Sequence, residues 1–153
     1  VEIRGLLIPV PGDPVLLPSA VLVEVITYRT PTKIEGKPSW LLGVVEWRGV
    51  SVPTISCEGL LGRPDQGAPA GTRVAILSGV TAGLPFLALR TRGIPRFVSV
   101  KESDLSASQE SSVSESLNTN TTLLPKVYCP VEFNGKPAKI LDLEILGGLL
   151  SGI

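Results

Sequence analysis

An all-β fold with one short C-terminal helix is what this 153-residue sequence predicts, on three observations. Its 16 glycines and 14 prolines fall between short apolar runs rich in Val, Leu and Ile, the spacing of strands broken by turns. Prolines at that density leave long helices almost nowhere to fit. The third observation is Asn134-Gly135 between two apolar runs. That dipeptide tolerates the positive φ angles of a type I′ turn and marks a hairpin.

In chain order, strands are expected near Glu2–Pro9, Val15–Leu17, Val21–Thr27, Gly43–Trp47 and Ser51–Ser56. Further runs follow near Arg73–Leu77, Phe86–Arg90, Phe97–Val100, Val127–Phe133 and Ala138–Leu141. About ten strands suit either a sandwich or a pair of small barrels. Pro130 and Pro137 lack an amide donor, which places them at edges or bulges. The closing helix is expected to start near Asp142, whose carboxylate can cap free amides, and to stop at Gly147-Gly148.

Two stretches read as connections. The segment between Arg63 and Gly71, with Pro64, Gly67 and Pro69, divides the chain into an N-terminal part and a C-terminal part. Residues 103–122 are dominated by Ser and Thr, and burial there cannot repay the entropy of ordering. They are read as a mobile surface loop within a single domain spanning residues 1–153, with phosphorylation or ordering by a partner as the functional alternative.

Composition narrows the chemistry. With 43% hydrophobic and 18% charged residues, bulk disorder is excluded. Fourteen Lys and Arg balance 14 Asp and Glu, which argues against a nucleic-acid partner. The absence of histidine removes Ser-His-Asp and Cys-His catalysis and every His-containing metal site. No phosphate-binding loop, GxGxxG or CxxC occurs, so neither enzyme activity nor a catalytic, cofactor or metal site is expected. Cys57 and Cys129 both lie in apolar runs and are read as buried reduced thiols. The apolar stretch 5–26 is broken by prolines, Asp13 and Glu24, and no secretory leader pattern is present, so a cytoplasmic protein is expected.

The most informative stretch is Trp40-Leu-Leu-Gly43-Val-Val-Glu-Trp47-Arg48-Gly49-Val-Ser-Val-Pro53, two strands joined by a tight turn at Arg48-Gly49. Alternation sets Val45 and Trp47 on one face, and Val44, Glu46 and Arg48 on the other. Of Trp40 and Trp47, one is expected in the core and the other as an interface anchor.

This stretch resembles the CheW-like domain of bacterial chemosensory systems, whose hallmark run is matched by Gly43, Val44, Val45, Arg48, Gly49, Val52, Pro53, Leu61 and Gly62. Val23-Glu24-Val25-Ile26 upstream and Ile140-Leu141-Asp142-Leu143-Glu144 downstream extend the resemblance over nearly the whole chain. The wording around Trp40–Gly49 and Ser56-Cys57-Glu58 looks closest to the ChpC branch linked to type IV pilus twitching. The resemblance implies two five-stranded, SH3-like β-barrels packed together, without catalysis. It also implies an adaptor bridging a methyl-accepting chemoreceptor and the regulatory domain of a CheA-type histidine kinase. By the same resemblance Glu24, Gly43, Val45, Arg48 and Gly49 are the partner-binding candidates, with Glu24 and Arg48 able to pair across neighbouring strands. Three features depart from the family pattern. Ser56 stands where an acidic residue often follows the strand, and Leu87-Ala-Leu-Arg90 stands where a strand ending in Asp is usual. The serine-rich segment has no counterpart. A β-barrel that takes an apolar small molecule is the competing reading.

Overall fold

The computed structural model describes residues 2–36, 38–60, 67–81, 84–107 and 128–151. Among them are eleven strands: β1 (Glu2–Ile8), β2 (Val15–Pro18), β3 (Leu22–Thr27), β4 (Leu41–Trp47), β5 (Val50–Ile55), β6 (Arg73–Thr81), β7 (Leu84–Thr91), β8 (Arg96–Lys101), β9 (Leu105–Ala107), β10 (Tyr128–Phe133) and β11 (Lys136–Leu141). Two helices accompany them, α1 (Cys57–Leu60) and α2 (Leu143–Ser151). One sheet has the order β8-β1-β2-β11-β10-β9, the other β3-β6-β7-β5-β4.

Each sheet is drawn round toward closure. In the six-stranded sheet the outermost strands, β8 and β9, are consecutive in sequence and joined by a 3-10 turn at Glu102–Asp104. One nearly continuous stretch therefore pairs with β1 at its start and β10 at its end. In the five-stranded sheet the chain leaving β3 reaches β4, at the far end of the order, through the Thr32–Val44 bridge. The strand count is thus six and five, β9 being the extra one.

Period-two alternation sorts the side chains into two packed interiors. Leu6, Ile8, Val15 and Leu17 from the first sheet meet Ile55, Ala75, Leu77, Leu87 and Leu89 from the second, forming a core shared between the sheets. The residues between them in sequence turn the other way. Val74, Ile76 and Ala88 fill the inside of the five-stranded sheet with Val45, Trp47 and Val52.

Strands from before and after the connection that follows β5 and α1 occur in both sheets, and the next strand, β6, belongs to the same sheet as β5. Helix α2 runs on through Gly147 and Gly148 to Ser151, where a stop was expected. Asp142 caps it as predicted, its Oδ1 accepting from the Ile145 amide at 3.0 Å. Burial of Leu146 and Leu150 in the shared core outweighs the roughly 1 kcal/mol that each glycine costs a helix.

The Asn134-Gly135 turn forms as predicted, with φ of 52° and 79°. Pro130 and Pro137 stand in strands interior to the sheet order. Each lies just outside the described register of the third strand, which runs from Val131 on the β9 side and is at Lys139 on the β2 side. Of the serine-rich segment, Ser103 and Asp104 belong to the 3-10 turn and Leu105–Ala107 to β9; residues 108–122 lie outside the described residues.

Candidate functional site

The β4–β5 hairpin sets the geometry. Trp47 pairs with Val50, leaving Arg48 and Gly49 as a two-residue loop with φ of 50° and 78°, the signature of a type I′ turn. Gly49 takes that conformation without strain, whereas a side chain in it costs about 1–2 kcal/mol. Two contacts hold Arg48 there. Its guanidinium lies 4.9 Å from the Trp47 ring centroid, and its Nη2 donates to Glu24 Oε1 at 3.0 Å.

Glu24 comes from β3 at a register shift between Leu22 and Glu24. Such a bulge re-aims the side chain that follows it. The same Oε1 accepts a second hydrogen bond from Trp47 Nε1, also at 3.0 Å. The Trp47 ring in turn meets Phe86 edge-on, with centroids 5.0 Å apart. The carboxylate is therefore anchored at a buried indole and offered at the surface to an arginine that is 68% exposed. Strands β3 and β4 are the two ends of their sheet, so the pair spans the seam where the sheet closes and not two hydrogen-bonded neighbours. An ion pair this exposed contributes about 0–1 kcal/mol, so its consequence is orientation.

The other candidates lie deeper. Val45 is 3% exposed and packs in the interior of the five-stranded sheet. Gly43 is buried at φ 139°, and a Cβ there would stand 2.1 Å from the Thr32 carbonyl oxygen. Both build the hairpin that Arg48 and Gly49 expose. Leu61 and Gly62 lie outside the described residues. Neither tryptophan is an exposed anchor: Trp40 is 3% exposed and Trp47 6%. Trp40 backs onto Gly59, where an added Cβ would meet its Cα at 2.6 Å.

A second cluster was not legible as a unit in the sequence. Arg90 Nη2 donates to Glu58 Oε1 at 3.0 Å, and also reaches Ser56 Oγ at 3.4 Å. The side chains of Arg90 and Glu58 are only 6% and 4% exposed. Ser56 also caps α1, its Oγ accepting from the Gly59 amide. Two positions that depart from the family pattern, Ser56 and Arg90, thus meet over one buried acid. The signal available was a charged residue inside each of two apolar runs.

Cys57 lies beside this cluster in the shared core, on α1 and not on a strand. Its thiol is pushed up from 9.0 to about 11, first by burial and also by Glu58, with Lys139 and Arg90 pulling the other way. Cys129 is exposed, contrary to expectation: it lies toward the start of β10, ahead of the register with β9 that begins at Val131. At pH 8 a thiol reagent is expected to modify Cys129 rapidly and Cys57 only on unfolding. Because the folded value lies above the unfolded one, Cys57 contributes stability fully below about pH 9 and loses it as the pH rises through about 11. Two fast-reacting thiols in the native protein would contradict this assignment.

Two sheets drawn round toward closure share one core, with a charged hairpin tip across the seam of the five-stranded one. The CheW-like domain model matches residues 4–146, and the chain belongs to that family. No curated protein matches it. Among solved structures it is similar to the crystal structure of scaffolding protein TtCheW from Thermoanaerobacter tengcongensis, with 15% identity and a TM-score of 0.68. That match covers 92% of this chain and 89% of the other. Among the described residues, no helix is long and apolar enough to cross a membrane.

Proposed function

We propose that this protein is a non-catalytic adaptor that couples a methyl-accepting chemoreceptor to the regulatory domain of a CheA-type histidine kinase. The observation that supports the reading is the Glu24–Arg48 pair, which joins β3 to the tip of the β4–β5 hairpin within a CheW-like fold. A guanidinium carries five donors, and here only Nη2 is engaged by Glu24. Among the described residues the other donors meet no acceptor, and they can serve a partner carboxylate or carbonyl. Twitching motility as the output rests on the resemblance to the ChpC branch.

The test is binding of the purified chain to a receptor tip and to a kinase regulatory domain. Arg48→Ala is expected to weaken one of the two contacts by roughly 10- to 100-fold, the worth of a hydrogen bond to a charged group, about 1.5–3 kcal/mol. Glu24→Ala, which frees the guanidinium, should weaken the same contact less. Melting temperature should stay within about 3 °C of the parent in the Arg48 variant, since the pair contributes little to folding. Binding of the parent chain to neither partner would overturn the proposal.

A further inference from the structure

The end of the six-stranded sheet beside the Asn134-Gly135 turn opens into a pocket of about 390 Å3. Its floor is apolar: Leu7, Pro14, Phe133, Pro137 and Ala138 line it. Leu7 and Ala138 are buried side chains of the sheet's inner face. The rim is charged. Arg96 is the register partner of Leu7 on β8, which sets it on the same face at the sheet's outer edge. Lys136 begins β11 directly after the turn, and Asp13 stands on the loop before β2.

None of these three charged side chains has a hydrogen bond or ion pair among the described residues. Two cations against one carboxylate leave the rim net positive over an apolar floor. The volume falls at the lower end of the range for ligand pockets, about 300–1,000 Å3, so the site suits a body of modest size. An apolar ligand with no charge would leave both cations unused, and a polyanion would find no polar floor.

We propose that this mouth binds a small amphipathic organic anion, an apolar body bearing a single carboxylate. The body lies against Leu7 and Phe133, and the carboxylate faces Arg96 and Lys136. The site lies on the sheet opposite the one that carries Glu24 and Arg48, so its occupancy and partner binding at the hairpin are separable.

Octanoate, octanol and octylamine share one chain length and differ in charge, and each is titrated into the full chain while backbone amide shifts are followed. Octanoate should produce saturable shifts at Leu7, Asn134, Gly135 and Lys136, with octanol at least about tenfold weaker. The double variant Arg96→Ala/Lys136→Ala should bind octanoate no better than octanol while keeping the parent's melting temperature, since both side chains are exposed. An absence of saturable shifts up to the solubility limit of octanoate would overturn the proposal. So would octylamine binding as tightly as octanoate, which makes Asp13 the anchor. Shifts of the same amides produced by the receptor or kinase fragment but not by octanoate would also overturn it, making the mouth a protein-docking surface.

Discussion

Arg90→Met is expected to destabilise the protein by about 3–5 kcal/mol, the cost of removing one member of a buried ion pair. Glu58, itself 4% exposed, would lose its 3.0 Å partner. The location magnifies the loss. Strands β5 and β7 run parallel and in register at Thr54 with Ala88 and Ile55 with Leu89, and the cluster of Ser56, Glu58 and Arg90 follows directly. It ties the end of that pair to α1, and the charges of Arg90, Glu58 and Lys139 on β11 all act on Cys57. A drop of roughly 10–15 °C in melting temperature follows for a chain of this size. The companion Glu58→Leu/Arg90→Met removes both charges, and their combined desolvation, and should recover at least half of that drop. A single variant that melts like the parent, or a double variant no more stable than the single, would show that the pair is not what holds this corner.

The elements of this fold that depend on local pattern were legible, and those that depend on non-local pairing were not. Ten strands could be read because apolar runs and their Gly and Pro boundaries are local signals. Strand β9 could not: Leu105–Ala107 is three residues long, sits in serine-rich sequence and is a strand by virtue of pairing with β10. Helix α2 outran its glycines because Leu146 and Leu150 find a core formed by distant strands. Sheet membership was not legible for the same reason, since chain order says nothing about which sheet a strand joins, and strands from both sides of the connection between Arg63 and Gly71 occur in each sheet.

The candidate site divides along the same line. Opposite charges at Glu24 and Arg48 made a pair plausible, and the structure brings them to 3.0 Å, but across a seam that only the bridge at Thr32 reveals. The second hydrogen bond, from the Trp47 indole, had no sequence signal. It depends on a bulge in β3 and on the facing of a buried ring, both properties of the closed barrel. The cluster at Arg90 was noticed in sequence only as two departures from the family pattern. A parallel strand pair brings those residues together.

Gly43→Ala should be the most damaging change in the hairpin although it removes no contact. The residue stands at φ 139°, and an added Cβ would lie 2.1 Å from the Thr32 oxygen, 2.6 Å from its carbonyl carbon and 3.1 Å from Lys33 Cα. All three are main-chain atoms, so no side-chain rotation relieves the overlap. The segment at Thr32 must move away, breaking the two hydrogen bonds that Thr32 exchanges with Val44. That bridge closes the five-stranded sheet, so the cost should reach the upper end of the usual single-substitution range, about 3 kcal/mol. Gly49→Ala offers the contrast. Nothing lies within 4 Å of a Cβ there, so only the left-handed backbone is penalised, at about 1–2 kcal/mol. The indole N–H resonance of Trp47 reports the consequence for the site, because its bond to Glu24 requires β3 and β4 to meet. In Gly43→Ala that resonance should shift and binding through Arg48 should fall, and Thr32→Gly should not restore either one, since the obstructing atoms belong to the backbone. A Gly43→Ala protein that melts within about 2 °C of the parent and keeps the indole resonance in place would refute this account of why the hairpin begins with glycine.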